Sequence, residues 1–322
     1  MMRAMAQPPN ELILGCTDLN SALDLLRALG MRLDVIWPAD DPHTAILTHE
    51  GVPIRLTSRP DARPPSTVLP DFQPEFLVTH AGTAAGEGRA GMHYRDLIPS
   101  RMGGRYIASH ITIAEGGPVA DWVHYHRIAF QLICVRKGWV RVVYEDQGEP
   151  FVMAPGDMVL QPPGIRHRVL ESSPGLEVIE ITCPALHETF ADHELELPNG
   201  TAAMARHHEG QSFLHHVAAT APWTDWHGAE AQETKVRDTT AGLAEARIIR
   251  SGASPVVAVP PHDGELVFGF VLEGSARLGH GEIWPLGPAD SFVIPPGEAW
   301  RLTEASSDFR LLHVTTGRVD RA

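Results

Sequence analysis

The sequence is poor in cysteine and in basic residues, and it has no long apolar run. Its three cysteines, Cys16, Cys134 and Cys183, are odd in number and far apart. That excludes a disulfide framework and agrees with a reducing compartment. Lys and Arg number 26 against 40 Asp and Glu, a formal charge of −14. Nucleic acids and anionic membranes are held by clustered cations, so neither is expected as a partner. No segment approaches the roughly 18 apolar residues of a membrane helix. The opening MMRAMAQPPNELILGC lacks an apolar stretch long enough for a secretory leader, and a cytoplasmic protein is expected.

What is present is material for cores: 43% hydrophobic and 20% charged residues over 322 positions, enough for two or three domains. Residues 1–58 form a first unit. Glu11–Gly15 reads as a short strand. Thr17 or Asp18 can cap a helix with Leu19, Leu23, Leu26 and Leu29 at helical spacing and Leu25 beside them, closed by Gly30. Strands Arg32–Trp37, Thr44–His49 and Val52–Thr57 follow across two turns. The order strand, helix and three strands resembles one module of the vicinal oxygen chelate (glyoxalase and bleomycin-resistance) family. That family pairs two such modules; one is visible here and its first strand offers no His, so a structural or dimerising role is expected.

Residues 59–92 are dense in Pro and Gly and read as a linker, extended at first and flexible later. Two β regions, 93–200 and 236–322, carry short strands separated by turn residues. Between them, residues 201–235 are polar and read as loop and short helix. The pairs His207-His208 and His215-His216 in this segment are expected at solvated surface.

The stretch that organises the chain is Gly117-PVADWV-His124-Tyr-His126-RIAF-Gln131-LICVRK-Gly138, followed by Gly156-Asp157-MVLQ-Pro162-Pro163-Gly164-IR-His167-RVL-Glu171. His124 and His126, two apart on a strand, point to one side. His167 follows a Pro-Pro-Gly turn that aims it back toward them. Gln131 sits in an apolar run where a lone amide needs a partner. A metal site built by His124, His126, Gln131 and His167 is the expectation, with Gln131 either a direct ligand or a hydrogen-bond partner of bound water or substrate.

The second β region repeats the first. Arg95-Asp96 parallels Arg237-Asp238, His126 aligns with His262 and Gly138 with Gly274, both 136 positions on, and Asp157-MVLQPPG aligns with Asp290-SFVIPPG, 133 on. The ligand positions differ: His124 becomes Pro260, Gln131 becomes Val267 and His167 becomes Trp300. His262, even with Glu265 nearby, leaves too few groups for a metal, so the second copy is read as metal-free, with Trp300 as a plug.

These paired motifs resemble those of the cupin superfamily, with one extra residue before His124 and Gln131 in place of the usual Glu. The resemblance implies a mainly β fold: two tandem jelly-roll barrels preceded by a small α+β module. It also implies one divalent transition metal, Fe(II) favoured, with Mn, Ni, Co or Zn able to use the same donors. A small oxygenated organic substrate is expected, with dioxygenase chemistry first. A metal-dependent isomerase or cyclase and a non-catalytic binding module are the alternatives, and a homodimer is expected by analogy. Three imidazoles and an amide leave the ion its full positive charge, which favours chelation of an anionic oxygen pair. Catalytic residues stay open. Glu171, four residues after His167, is either an acid–base group or a rim carboxylate. On the strand beginning near Arg105, either His110 with Tyr106, or Arg105, would reach the cavity.

Overall fold

Short runs of Val, Ile, Leu and Phe broken by Gly and Pro favour strands over helices. In the computed structural model, which describes residues 12–88 and 91–320, strands dominate. No helix among the described residues is long and apolar enough to cross a membrane.

The N-terminal unit runs Leu12–Gly15, helix Leu19–Ala28, Arg32–Trp37, Thr44–His49 and Val52–Thr57; Glu11 lies outside the described residues. Asp18 caps the helix, its Oδ1 accepting the Ser21 N–H at 2.7 Å. Leu19 and Leu23 are buried, while Leu25 and Leu29 stay exposed. The unit is not free-standing. Arg32–Trp37 also pairs with Thr189–Ala191, so its sheet continues through His124–His126, His167–Ser172, Val140–Tyr144 and Phe151–Met153 as one ten-stranded sheet.

Each β region closes around its own interior. Ile107–Ile113, Phe130–Lys137, Met158–Leu160 and Leu176–Cys183 make one wall of the first barrel. Ala244–Arg250, Leu266–Glu273, Ser291–Ile294 and Arg310–Thr316 make the same wall of the second. The aligned glycines occupy the same turn: Gly138 and Gly274 have φ of 72° and 69°. A Cβ would lie 2.2 Å from Ser173 Oγ in one and 2.4 Å from Ser306 Oγ in the other, so only Gly fits.

The segments leading into the barrels are exchanged between them. Leu77–Thr79 pairs with Ser291–Ile294 of the second barrel, and Leu214–His216 pairs with Met158–Leu160 of the first. The aligned aspartates fasten both arms: Asp290 Oδ1 accepts the Ala81 N–H and Asp157 Oδ1 the Ala218 N–H, each at 2.8 Å. This corrects two expectations. Residues 59–92 contain the strands Leu77–Thr79 and Gly86–Glu87 rather than linker alone. Residues 201–235 contribute Leu214–His216, Thr224–Trp226 and Ala229–Glu233 to sheets, three- to five-residue strands too short to show a period. His207 is exposed as expected, but His216 is buried and His215 stacks on Phe151 at 4.2 Å.

The largest core lies between the barrels. Phe130, Leu132, Cys134, Ile179 and Ile181 from the first meet Phe268, Phe270, Leu312 and Val314 from the second. These strands are buried on both faces, which is why they read as nearly continuous apolar runs. Burial pushes the Cys134 and Cys183 thiols up to about 12, leaving them protonated and inert.

Polar clamps cross the same interface, and they account for three residues expected near the cavity. Arg105 donates to both Glu265 carboxylate oxygens at 2.9 and 2.7 Å. Tyr106 shares hydrogen bonds with Glu265 Oε2 at 3.1 Å and Thr316 Oγ1 at 2.7 Å. His110 packs edge-on against Phe270, accepts from Arg95 Nη2 at 3.2 Å and donates to Glu177 Oε2 at 2.8 Å. Ile111 and Ile113 of the same strand line the first cavity, so alternation turns Tyr106, Ala108 and His110 toward the second barrel.

Acid acts on this clamp with one sign. Burial holds His110 below its ordinary value. Burial opposes the charge on Glu177, yet hydrogen bonds from His110, Lys137 and Arg136 hold its carboxyl well below the usual range. Both groups take up protons more readily when unfolded, so their contribution is complete at neutral pH. It is lost on acidification, first below about 6.5 and then below about 4.3. Urea denaturation across that range is expected to show falling stability, and a shallower fall below the second value for Glu177→Gln. Stability that rises on acidification would contradict this.

Candidate metal centre

The strand His124–His126 lies between two partners, with His124 opposite His167 on one side and Ala191 on the other. His124 and His126 point to the same side, and the turn at Pro162-Pro163-Gly164 delivers His167 beside them. One ring nitrogen from each residue lies within 4.8 Å of the other two. Ring centroids are 5.1, 4.2 and 5.2 Å apart, and the residues are 1%, 7% and 6% exposed.

Each ring is oriented through Nδ1. His124 donates to the Trp122 carbonyl at 2.7 Å, with Asp121 Oδ1 at 3.5 Å. His167 donates to the Ile165 carbonyl at 3.0 Å, and His126 shares a hydrogen bond with Thr189 Oγ1 at 3.2 Å. Such partners fix the tautomer that offers Nε2 to a metal. Three buried imidazoles held in this way fit a divalent transition ion.

Gln131 lies on the cavity side of its strand, by alternation with Ile133, and is 1% exposed; its Oε1 has no hydrogen-bond partner among the described residues. A second amide, Gln161, reaches the cluster, its Nε2 at 2.8 Å from His167 Nε2, also with an unpartnered Oε1. His187 packs edge-on against His126 at 5.5 Å, and burial holds it below its ordinary value and hence neutral. Its Nδ1 donates to the Pro184 carbonyl at 3.0 Å, and its buried Nε2 is unpartnered. Tyr144 stacks on His167 at 5.4 Å, and Glu180 brings a carboxylate to the same enclosure. The cavity measures about 80 Å³, its other walls apolar, among them Ile111, Ile133, Val142 and Val178. Ala39 of the N-terminal unit is part of the lining.

No family model and no curated protein matches the sequence. Solved structures do match the fold. Salicylate 1,2-dioxygenase from Pseudaminobacter salicylatoxidans superposes with a TM-score of 0.56 at 15% identity, over 77% of this chain and 86% of that one. A mutant of Bacillus subtilis oxalate decarboxylase gives 0.55 at 11%, over 80% and 81%. Protein Ylba from E. coli gives 0.55 at 10%, over 76% and 91%. The fold is a tandem cupin.

Within this tandem cupin the structure brings His124, His126 and His167 together with Gln131 on the cavity side, and sets the other expected residues elsewhere. Arg105, Tyr106 and His110 serve the interface between barrels. Glu171 pairs with Arg141 Nη2 at 3.2 Å, outside the cavity. The reason is a bulge: Val142 lies opposite Val169 but Arg141 opposite Glu171, so the extra residue rotates Glu171 off the side it would share with His167. Glu265, considered for the second barrel, is held by Arg105. Trp300 is 2% exposed in the second interior. Gln161, His187 and Glu180 were not anticipated. Only Glu180 carried a signal, as a carboxylate inside the apolar run Leu176–Cys183.

Proposed function

We propose that the tandem cupin is a metal-dependent enzyme acting on a small oxygenated organic molecule in the first barrel, most directly as a dioxygenase. The observation that carries this is the trio of buried imidazoles inside an enclosed cavity with apolar walls. His124, His126 and His167 would hold the ion, with Gln131 Oε1 as a fourth donor. Fe(II) is favoured, and Mn, Ni, Co or Zn suit the same donors. A bound ion would supply Lewis acidity toward a substrate oxygen and, for iron, redox chemistry with oxygen. The protein's own groups do the rest. Gln161 can hydrogen-bond a substrate oxygen beside His167, the apolar walls exclude water, and Glu180 can accept a proton from the substrate. A variant of the salicylate dioxygenase, 17% identical to this chain, was solved with gentisate; the volume here, about 80 Å³, is about half the roughly 150 Å³ that takes up benzene and favours a smaller substrate. The N-terminal unit, whose element order resembles a vicinal oxygen chelate module, acts in this reading as a wall of the site.

Glu180 also favours a second reading, isomerisation driven by proton transfer. Oxygen uptake by iron-loaded protein with a candidate substrate supports the dioxygenase. Turnover by zinc-loaded protein without oxygen, abolished in Glu180→Gln, supports the isomerase. The neutral donor set gives a separate expectation. Gln131→Glu adds a negative charge beside the ion and should tighten binding of a divalent metal about tenfold, measured by competition with a chromophoric chelator. Unchanged affinity would remove Gln131 from the donor set.

A further inference from the structure

The second barrel is not simply a filled copy of the first. Register carries the comparison. Glu180 pairs with Ile133 and Ser109 in the first barrel; His313 pairs with Gly269 and Arg247 in the second. His313 therefore stands where the first barrel has Glu180, Arg247 where it has Ser109, and Trp300 where it has His167. A set suited to a cation has been replaced by one rich in hydrogen-bond donors.

These groups line a cavity of about 390 Å³ and have unmet hydrogen-bonding capacity. His313 is 2% exposed and its Nδ1 accepts from Arg247 Nη1 at 3.4 Å, so its Nε2 carries the proton. That Nε2, the Trp300 Nε1 and the Arg247 Nε are all buried N–H groups without partners among the described residues. The rings are close: Trp300 to His313 is 5.6 Å and Trp226 to His313 is 5.3 Å, with the Arg247 guanidinium 5.2 Å over Trp226. Opposite in character is His262. Its Nε2 donates to the Ile294 carbonyl at 3.4 Å, so its buried, unpartnered Nδ1 is an acceptor. Arg247 also donates to Glu245 at 2.7 Å, but Glu245 is shared with Arg237. The Glu233 carboxylate, 3.7 Å from Arg247, is 60% exposed and screened by solvent.

Buried donors left unpaired cost about 1–3 kcal/mol each, and all three belong to residues that line this one cavity, where an acceptor oxygen can meet them once the side chains turn toward it. We infer that the second barrel binds a small hydroxycarboxylate without metal. Arg247, His313 and Trp300 receive the carboxylate, His262 Nδ1 accepts a hydrogen bond from the hydroxyl, and Trp226 and Val259 flank the apolar body. This site is separate from the metal centre and does not depend on the reading of the first barrel.

Calorimetric titration of the full chain with mandelate tests it, with phenylacetate, which lacks the hydroxyl, as comparator. His126→Ala is expected to bind one mandelate per chain as wild type does in its second barrel, with quenching of tryptophan fluorescence. Phenylacetate is expected to bind about tenfold more weakly, and Trp300→Phe, which keeps an aromatic plug but loses the N–H, to weaken mandelate about tenfold. No binding to His126→Ala up to about 10 mM, or binding lost in His126→Ala but intact in Trp300→Phe, would overturn the proposal. The comparison of the two acids leaves Trp300 in place, so the test stands even if that variant fails to fold.

Discussion

Arg105→Met is expected to destabilise the folded chain by about 3–5 kcal/mol, the cost of leaving a buried charge without its partner. The side chains of Arg105 and Glu265 are each 9% exposed and meet through a two-point contact. Arg105 also donates to the Pro70 and Val319 carbonyls, so one guanidinium ties the strap before the first barrel to the end of the second. Methionine fills most of the volume and supplies no donor, leaving the Glu265 carboxylate uncompensated in charge, with the Tyr106 hydroxyl as its remaining donor, and removing a donor from two carbonyls. If the stranded charge is the cause, Arg105→Met with Glu265→Leu should recover most of the loss, because a buried ion pair and an apolar replacement of similar shape are often nearly equivalent. Equilibrium denaturation of both variants decides this. A single variant within about 0.5 kcal/mol of wild type would mean that the clamp does not hold the barrels together.

The same residues show what the sequence could and could not reveal. The clustering of His124, His126 and His167 was legible because its geometry is local: a spacing of two on a strand, and a Pro-Pro-Gly turn ahead of His167. The repeat was legible because turn glycines and capping aspartates recur at fixed offsets. The facing of Ile107–Ile113 was not. Both sides of that strand are buried, one against the cavity and one against the second barrel, so apolar alternation carries no sign of which is which. Glu171 was misplaced by one bulged residue, which no composition signal marks. The exchanged arms were hidden because three-residue strands in Pro-rich or polar surroundings have no period to detect. Gln161 and His187 reach the centre from turn and loop segments whose paths depend on tertiary pairing. In the second barrel the replacement of two histidines and the amide was plain, but the placing of Arg247 and His313 on adjoining strands appears only once the register is known.

His126→Ala should empty the centre. Removing one of three imidazoles leaves two rings and a weak neutral amide, which should hold a divalent ion far less tightly than three imidazoles do. His126 contacts His124, His167 and His187 by its ring and Thr189 through Nδ1, so alanine removes a ligand without touching the interface between barrels. Transition-metal content by elemental analysis, on protein purified without added metal, tests the central claim most directly. Wild type is expected to carry close to one transition-metal ion per chain and His126→Ala next to none, with unfolding curves for both confirming that the variant is folded. Equal metal in the two proteins, or none in either after incubation with Fe(II), Mn(II) or Zn(II), would contradict the account.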